Sequence, residues 1–88
     1  MCSRPYISVH LLLIIADFLE QRSYRIRPDV TMHELGADSF DMFELQALIE
    51  EAFGVCIQQQ IRTYVTFDEL VELVYRASSV HGDPPHPA

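Results

Sequence analysis

The sequence predicts an all-α domain: a small bundle of three main helices plus a short third helical turn, with a long loop between the first and second helices. Three observations carry that expectation. Apolar residues recur at helical spacing in three separate stretches. Good N-cap residues, Asp38 and Thr66, stand directly before the second and the last of them. Pro28, Gly36 and Gly54 punctuate the intervals.

The first helix is expected over Tyr6 to Gln21, where Ile7, Leu11, Ile14, Ile15 and Phe18 form one face and Asp17 and Glu20 lie opposite. Leu12 and Leu13 widen the apolar arc, which implies a well-buried helix. Ser23 to Thr31 is a polar connection that Pro28 keeps from being helical. Met32 and Leu35 then read as apolar pins, and Gly36 as a turn. The second helix runs from Ser39 to Phe53, with Asp38 and Asp41 as an acidic capping box and Gly54 as its stop. Val55 to Tyr64 has room for the short extra turn. Thr66 and Glu69 form a second capping box, and Phe67, Leu70, Val71, Val74 and Tyr75 give the last helix its buried face. The resulting organisation is an N-terminal extension at 1–5, one folded domain at 6–78 and a disordered Ser/His/Gly/Pro tail at 79–88.

Size and charge narrow the function. A chain of 88 residues makes one domain. At that size it buries only about 60–65% of its unfolded surface, too thin a core for a deep catalytic cleft. The net charge of -7 arises from 13 acids against six arginines, with no lysine. Between Pro28 and Ile61 stand seven acids and no basic residue, so the excess charge sits in the middle of the chain. Such a field repels nucleic acid and anionic membranes and attracts basic protein surfaces. Cys2 and Cys56 match no metal or redox spacing, and His10, His33, His81 and His86 form no ligand pair. No metal site and no catalytic acid–base pair is expected. The run Leu11 to Ala16 is too short for a membrane span and lacks the flanks of a signal peptide, so a cytoplasmic protein is expected.

Projected at 100° per residue from Phe40, the second helix places Met42, Leu45, Leu48, Ile49, Ala52 and Phe53 in an arc roughly 80–220° away. That arc is the expected core stripe. Phe40, Phe43, Glu44, Ala47, Glu50 and Glu51 fall on the other side. Two large aromatics beside carboxylates on a solvent face suggest a docking surface. Ser39 opens the same helix, where free N–H groups and the helix dipole favour a phosphate-like group. A plain helix-start serine is the alternative reading. Leu45, Ile49, Ile57, Ile61 and Phe67 offer apolar lining for a guest molecule, against the alternative of a filled core.

Leu35-Gly36-Ala37-Asp38-Ser39-Phe40-Asp41, followed by Phe43-Glu44-Leu45 and Glu50-Glu51-Ala52-Phe53-Gly54, resembles acyl carrier proteins over about residues 6 to 77. Their hallmark is a Gly-x-Asp-Ser-Leu run that opens the second helix, with a glutamate-rich helix behind it. The resemblance implies that Ser39, flanked by Gly36, Asp38, Phe40 and Asp41, accepts 4′-phosphopantetheine from coenzyme A through a phosphopantetheinyl transferase. The arm's thiol would then carry acyl groups as thioesters to fatty-acid, polyketide or related biosynthetic enzymes. An acyl-loading enzyme and a ketosynthase or another acyl-processing enzyme with a basic surface are the implied partners, and a monomer without catalytic residues is the implied state. Phe40 in place of Leu, the run Gln58-Gln59-Gln60 and the lack of lysine depart from the pattern and point to a specialised carrier. The alternatives are a peptidyl or aminoacyl carrier, whose family favours Gly-Gly-x-Ser, and an unmodified acidic adaptor.

Overall fold

A computed structural model of the chain describes residues 3–81. Helix α1 spans Arg4–Phe18, a 3-10 turn follows at Ser23–Arg25, α2 spans Ser39–Phe53 and α3 spans Phe67–His81. The all-α expectation holds. Residues 55–64, where the extra turn was expected, are not helical; the one short turn lies in the first loop instead.

Helix α1 starts two residues before the expected Tyr6. Ser3 caps it by accepting the Tyr6 N–H at 3.3 Å, and Pro5 sits in the first turn, where an N–H has no intrahelical partner to lose. It also stops three residues before the expected Gln21. Glu20 takes a left-handed φ of 53°. The Gln21 N–H then reaches the Ala16 carbonyl at 2.9 Å and the Glu20 N–H reaches that of Asp17 at 3.3 Å, a Schellman stop built on a non-glycine residue. The limits of α2 match the sequence, with Gly54 at φ 65° as its left-handed cap. Helix α3 extends through His81, past the expected boundary at 78, and the rest of the expected tail, 82–88, lies outside the described residues.

Ile7, Leu11 and Ile15 of α1 meet Met42, Leu45 and Ile49 of α2 and Leu70, Val71 and Val74 of α3 in one core. Among the described residues no polar or charged side chain is buried. The expected stripes prove too broad. Leu48 is 40% exposed and Ala52 is exposed, because α2 turns its Met42–Ile49 side inward and its Gln46 side toward residues 55–61. Leu13 is 57% exposed and Leu12 only half-buried, so α1 is not enclosed. Tyr75 is also half-buried, its ring 4.0 Å beneath the Arg4 guanidinium. Leu45, Ile49, Ile57, Ile61 and Phe67 are all buried as core.

The two long connections are bound to each other. The Met32 N–H donates to Val65 O (3.1 Å) and the His33 N–H to Thr63 O (2.8 Å). In return the Phe67 N–H donates to Val30 O and the Asp68 N–H to Pro28 O, both at 2.9 Å. The last two donors belong to the first turn of α3, where helical N–H groups lack partners of their own. Thr66 and Glu69 complete that end as the expected capping box, at 3.1 and 2.9 Å.

Arg4 of α1 ties to Glu72 of α3 through two bonds of 2.9 and 2.8 Å. Arg4's hydrogen bond holds the Glu72 carboxyl below its ordinary value. The Thr31 N–H and then its hydroxyl do the same for Glu34. Lowered carboxylates contribute stability that is present above the unfolded value of 4.5 and lost as pH falls through the folded one. The urea midpoint should therefore hold from about pH 7 to about pH 5 and drop below about pH 4.5, with a smaller drop in the Glu34→Gln/Glu72→Gln double variant. Glu20→Gly should raise unfolding free energy by ~0.5–1 kcal/mol in the same assay, since it relieves the left-handed strain.

Candidate functional site

The approach to α2 is a tightly bonded turn. Thr31 and Glu34 exchange bonds: the Thr31 N–H reaches Glu34 Oε1 (2.9 Å) and the Glu34 N–H reaches Thr31 Oγ1 (3.1 Å). The Leu35 and Ala37 N–H groups both donate to Met32 O, at 3.0 and 3.1 Å. Met32, Leu35 and Ala37 are buried, so alternate bonds and apolar pins fix the segment to the core. Gly36 supplies the φ of 94° that reverses the chain. From the other side, Gln21 Nε2 donates to Leu35 O at 3.2 Å.

Asp38 then caps α2. Its Oδ1 accepts the Asp41 N–H at 2.8 Å, and Asp41 Oδ2 accepts the Asp38 N–H at 3.1 Å. Each carboxylate spends one oxygen on the cap and keeps the other toward solvent. Ser39 is the first residue of the helix and is exposed. Among the described residues no hydrogen bond engages its hydroxyl. Two open grooves meet at Ser39. One, of about 390 Å³, is bordered by His33, Gly36, Ala37, Asp38 and Thr63. The other, of about 320 Å³, runs between Met42 and Phe43 of α2 and residues 60–64.

The proposed docking residues are not equivalent. Phe40 and Phe43 are 70% and 61% exposed, and Glu44, Ala47 and Glu51 are exposed beside them. Glu50 is half-buried, and its Oε2 accepts the Ile57 N–H at 2.8 Å. That carboxylate braces the loop after α2 and is only partly available to a partner. Gln46, which the sequence did not single out, does more of the same. Its Nε2 donates to Ile57 O (3.3 Å) and Gln59 O (3.1 Å), and its Oε1 accepts the Ile61 N–H (2.9 Å). A side chain thereby satisfies backbone groups that a helical turn would otherwise use, in a segment that stays irregular. The available signal was a polar residue at the edge of the apolar stripe of α2, next to Met42 and Phe53 in helical projection.

Among the described residues no three His, Cys, Asp or Glu side chains are gathered to hold a metal ion, and no helix is long and apolar enough to cross a membrane. An exposed, unengaged hydroxyl on a braced helix start, with open grooves on both sides, suits a tethered phosphodiester. The phosphopantetheine attachment site family matches residues 10–74, and the chain belongs to that family. No curated protein and no solved structure matches the chain. Members of the family carry covalent 4′-phosphopantetheine, whose thiol supplies the thioester chemistry. A carrier of this kind meets a phosphopantetheinyl transferase and acyl-processing enzymes. Gln46→Ala should cost ~1–2 kcal/mol. It should also speed amide exchange at Ile61 more than at Leu70, read by hydrogen exchange.

Proposed function

We propose that the chain is an acyl carrier protein whose arm is attached to Ser39. One observation carries this reading. The segment that matches the family contains two serines, Ser23 and Ser39. Ser23 opens a three-residue 3-10 turn, whereas Ser39 opens a 15-residue helix within Gly36-Ala37-Asp38-Ser39 and has a free hydroxyl. Attachment forms the Oγ–phosphorus bond and breaks the pyrophosphate of coenzyme A, releasing adenosine bisphosphate. The Ser39 proton leaves to the transferase. The chain's own part is to hold the hydroxyl outward; among the described residues no side chain hydrogen-bonds to it.

Phe40, Phe43, Glu44, Ala47 and Glu51 form the docking face, with Glu50 at its edge. The acids steer a basic enzyme to the carrier, and the aromatics give the desolvated contact. Exposed ion pairs contribute only ~0.2–1 kcal/mol each, so contacts stay brief and salt-sensitive, as repeated delivery requires. Ala37-Asp38 before the serine favours acyl over peptidyl cargo. Phe40 and the glutamine run favour a specialised pathway, polyketide or similar, over housekeeping fatty-acid synthesis. A monomer in the cytoplasm completes the reading.

Intact mass after incubation with coenzyme A and a broad-specificity transferase should show one added arm on wild type and none on Ser39→Ala. No gain on wild type, or a gain on Ser39→Ala, refutes the assignment. Glu44→Lys and Phe43→Ala should each lower transferase kcat/KM several-fold, while unfolding free energy moves by less than ~0.5 kcal/mol, because both side chains are exposed.

A further inference from the structure

We infer that the valley between α1 and α2 is a second docking surface, which takes from a partner protein an amphipathic helix flanked by arginine or lysine. The inference goes beyond the carrier reading and holds whether or not Ser39 is loaded. An open groove of about 290 Å³ lies there, bordered by Ile14, Asp17 and Phe18 of α1 and by Leu48, Glu51 and Ala52 of α2. The outer stripe of α1 leads into it. Tyr6, Val9 and Leu13 stand at i, i+3 and i+7 and are 49%, 59% and 57% exposed. One turn beyond Leu13 comes Asp17, on the groove's rim. Single exposed apolar side chains are ordinary, but a stripe that joins an apolar groove is a contiguous patch. Ile7, Leu11 and Ile15 already supply the buried face of α1, so the stripe has no partner inside the bundle.

Charge selects the occupant. Asp17 stands on one wall and Glu51 on the other, and Glu44 lies one turn before Leu48. Residues 5–21 and 28–61 contain no arginine and no lysine, and Arg4 at the start of α1 is committed to Glu72. A basic-flanked helix sets its charges against these acids. Its backbone satisfies itself, so only its apolar side chains need the groove. A second copy of this chain would bring Asp17 and Glu51 against acids of the same kind, at a net charge of -7 each. Residues 82–88 offer no large apolar side chain to fill the groove. A small apolar ligand would stay largely wet in so open a site. Tyr6 is held edge-on to Phe53 at 6.5 Å and against His10 at 4.2 Å, so this part of the face is formed before a partner arrives. Leu48 lies about 140° around α2 from Phe43, so a helix in the valley leaves Phe43 free for an enzyme. Glu51 is the border between the two faces.

The test uses the full chain, unloaded, with two peptides of about 18 residues and identical leucine, arginine and alanine content. One spaces its leucines at i, i+3, i+4 and i+7 with arginines on the flanks, and the other permutes them. NMR titration with the first should give saturable shifts at Leu13, Asp17, Leu48 and Ala52, and the permuted peptide should bind about tenfold more weakly or less. Leu13→Ser/Leu48→Ser should weaken binding about tenfold. Asp17→Asn/Glu51→Gln should weaken it several-fold and flatten its salt dependence, with the urea midpoint near wild type. Phe43→Ala should bind as wild type does. Shifts confined to Phe40–Glu44, equal binding of the two peptides, or binding that neither double variant weakens would overturn the proposal. So would no binding, or sedimentation showing a dimer of this chain that Leu48→Arg dissolves, since a second copy would then cover the face.

Discussion

The pairing of the two long connections is the constraint on which the rest of this molecule depends. Each of α1, α2 and α3 buries one narrow stripe, and three stripes alone would leave the helices free to slide. Four backbone bonds between 28–33 and 63–68 remove that freedom. They use N–H groups at the start of α3 that would otherwise need water, so the clamp satisfies donors the fold already has to satisfy. The same residues lead directly into the turn at 32–37. The position of Ser39 is thus set by the clamp, by the buried Met32, Leu35 and Ala37, and by the Asp38–Asp41 cap.

This construction explains how a thin core supports a carrying role. Among the described residues no polar or charged side chain is buried, so none of the core's energy is spent on buried charge. Polar work is left to the surface and is done by short local devices: the Asp38–Asp41 box, the Thr66–Glu69 box and the Thr31–Glu34 exchange. Glu50, which braces the backbone, lies on α2 beside the unengaged Glu44 and Glu51. Under the proposed docking, one acidic field serves both folding and partner attraction.

Much of the helical layout was legible in the sequence because its signals are local. Asp38, Asp41 and Gly54 bound α2 to the residue, and Thr66 opens α3, since caps act within four positions. The start of α1 was also local, in Ser3 and Pro5, but was missed because the apolar pattern begins only at Tyr6. What could not be read is long-range. The clamp is backbone to backbone and carries no side-chain signature. Gln46 reaches 11 to 15 residues along the chain, a distance at which no periodicity speaks. Leu48 and Ala52 were placed inward because a helical projection gives the arc but not which part of it neighbours cover. At the candidate site, Ser39 and its flanking acids were legible from the motif, while the two grooves depend on residues 60–64, a segment with no regular structure to project.

Native-state hydrogen exchange across a denaturant series tests the clamp most directly. The Met32, His33, Phe67 and Asp68 amides should exchange only through global unfolding, with the same free energy and denaturant slope as the Ile49 amide in α2. If those four amides exchange through small local openings that barely respond to denaturant while Ile49 stays protected, the clamp does not hold the Ser39 end in place, and the account is contradicted.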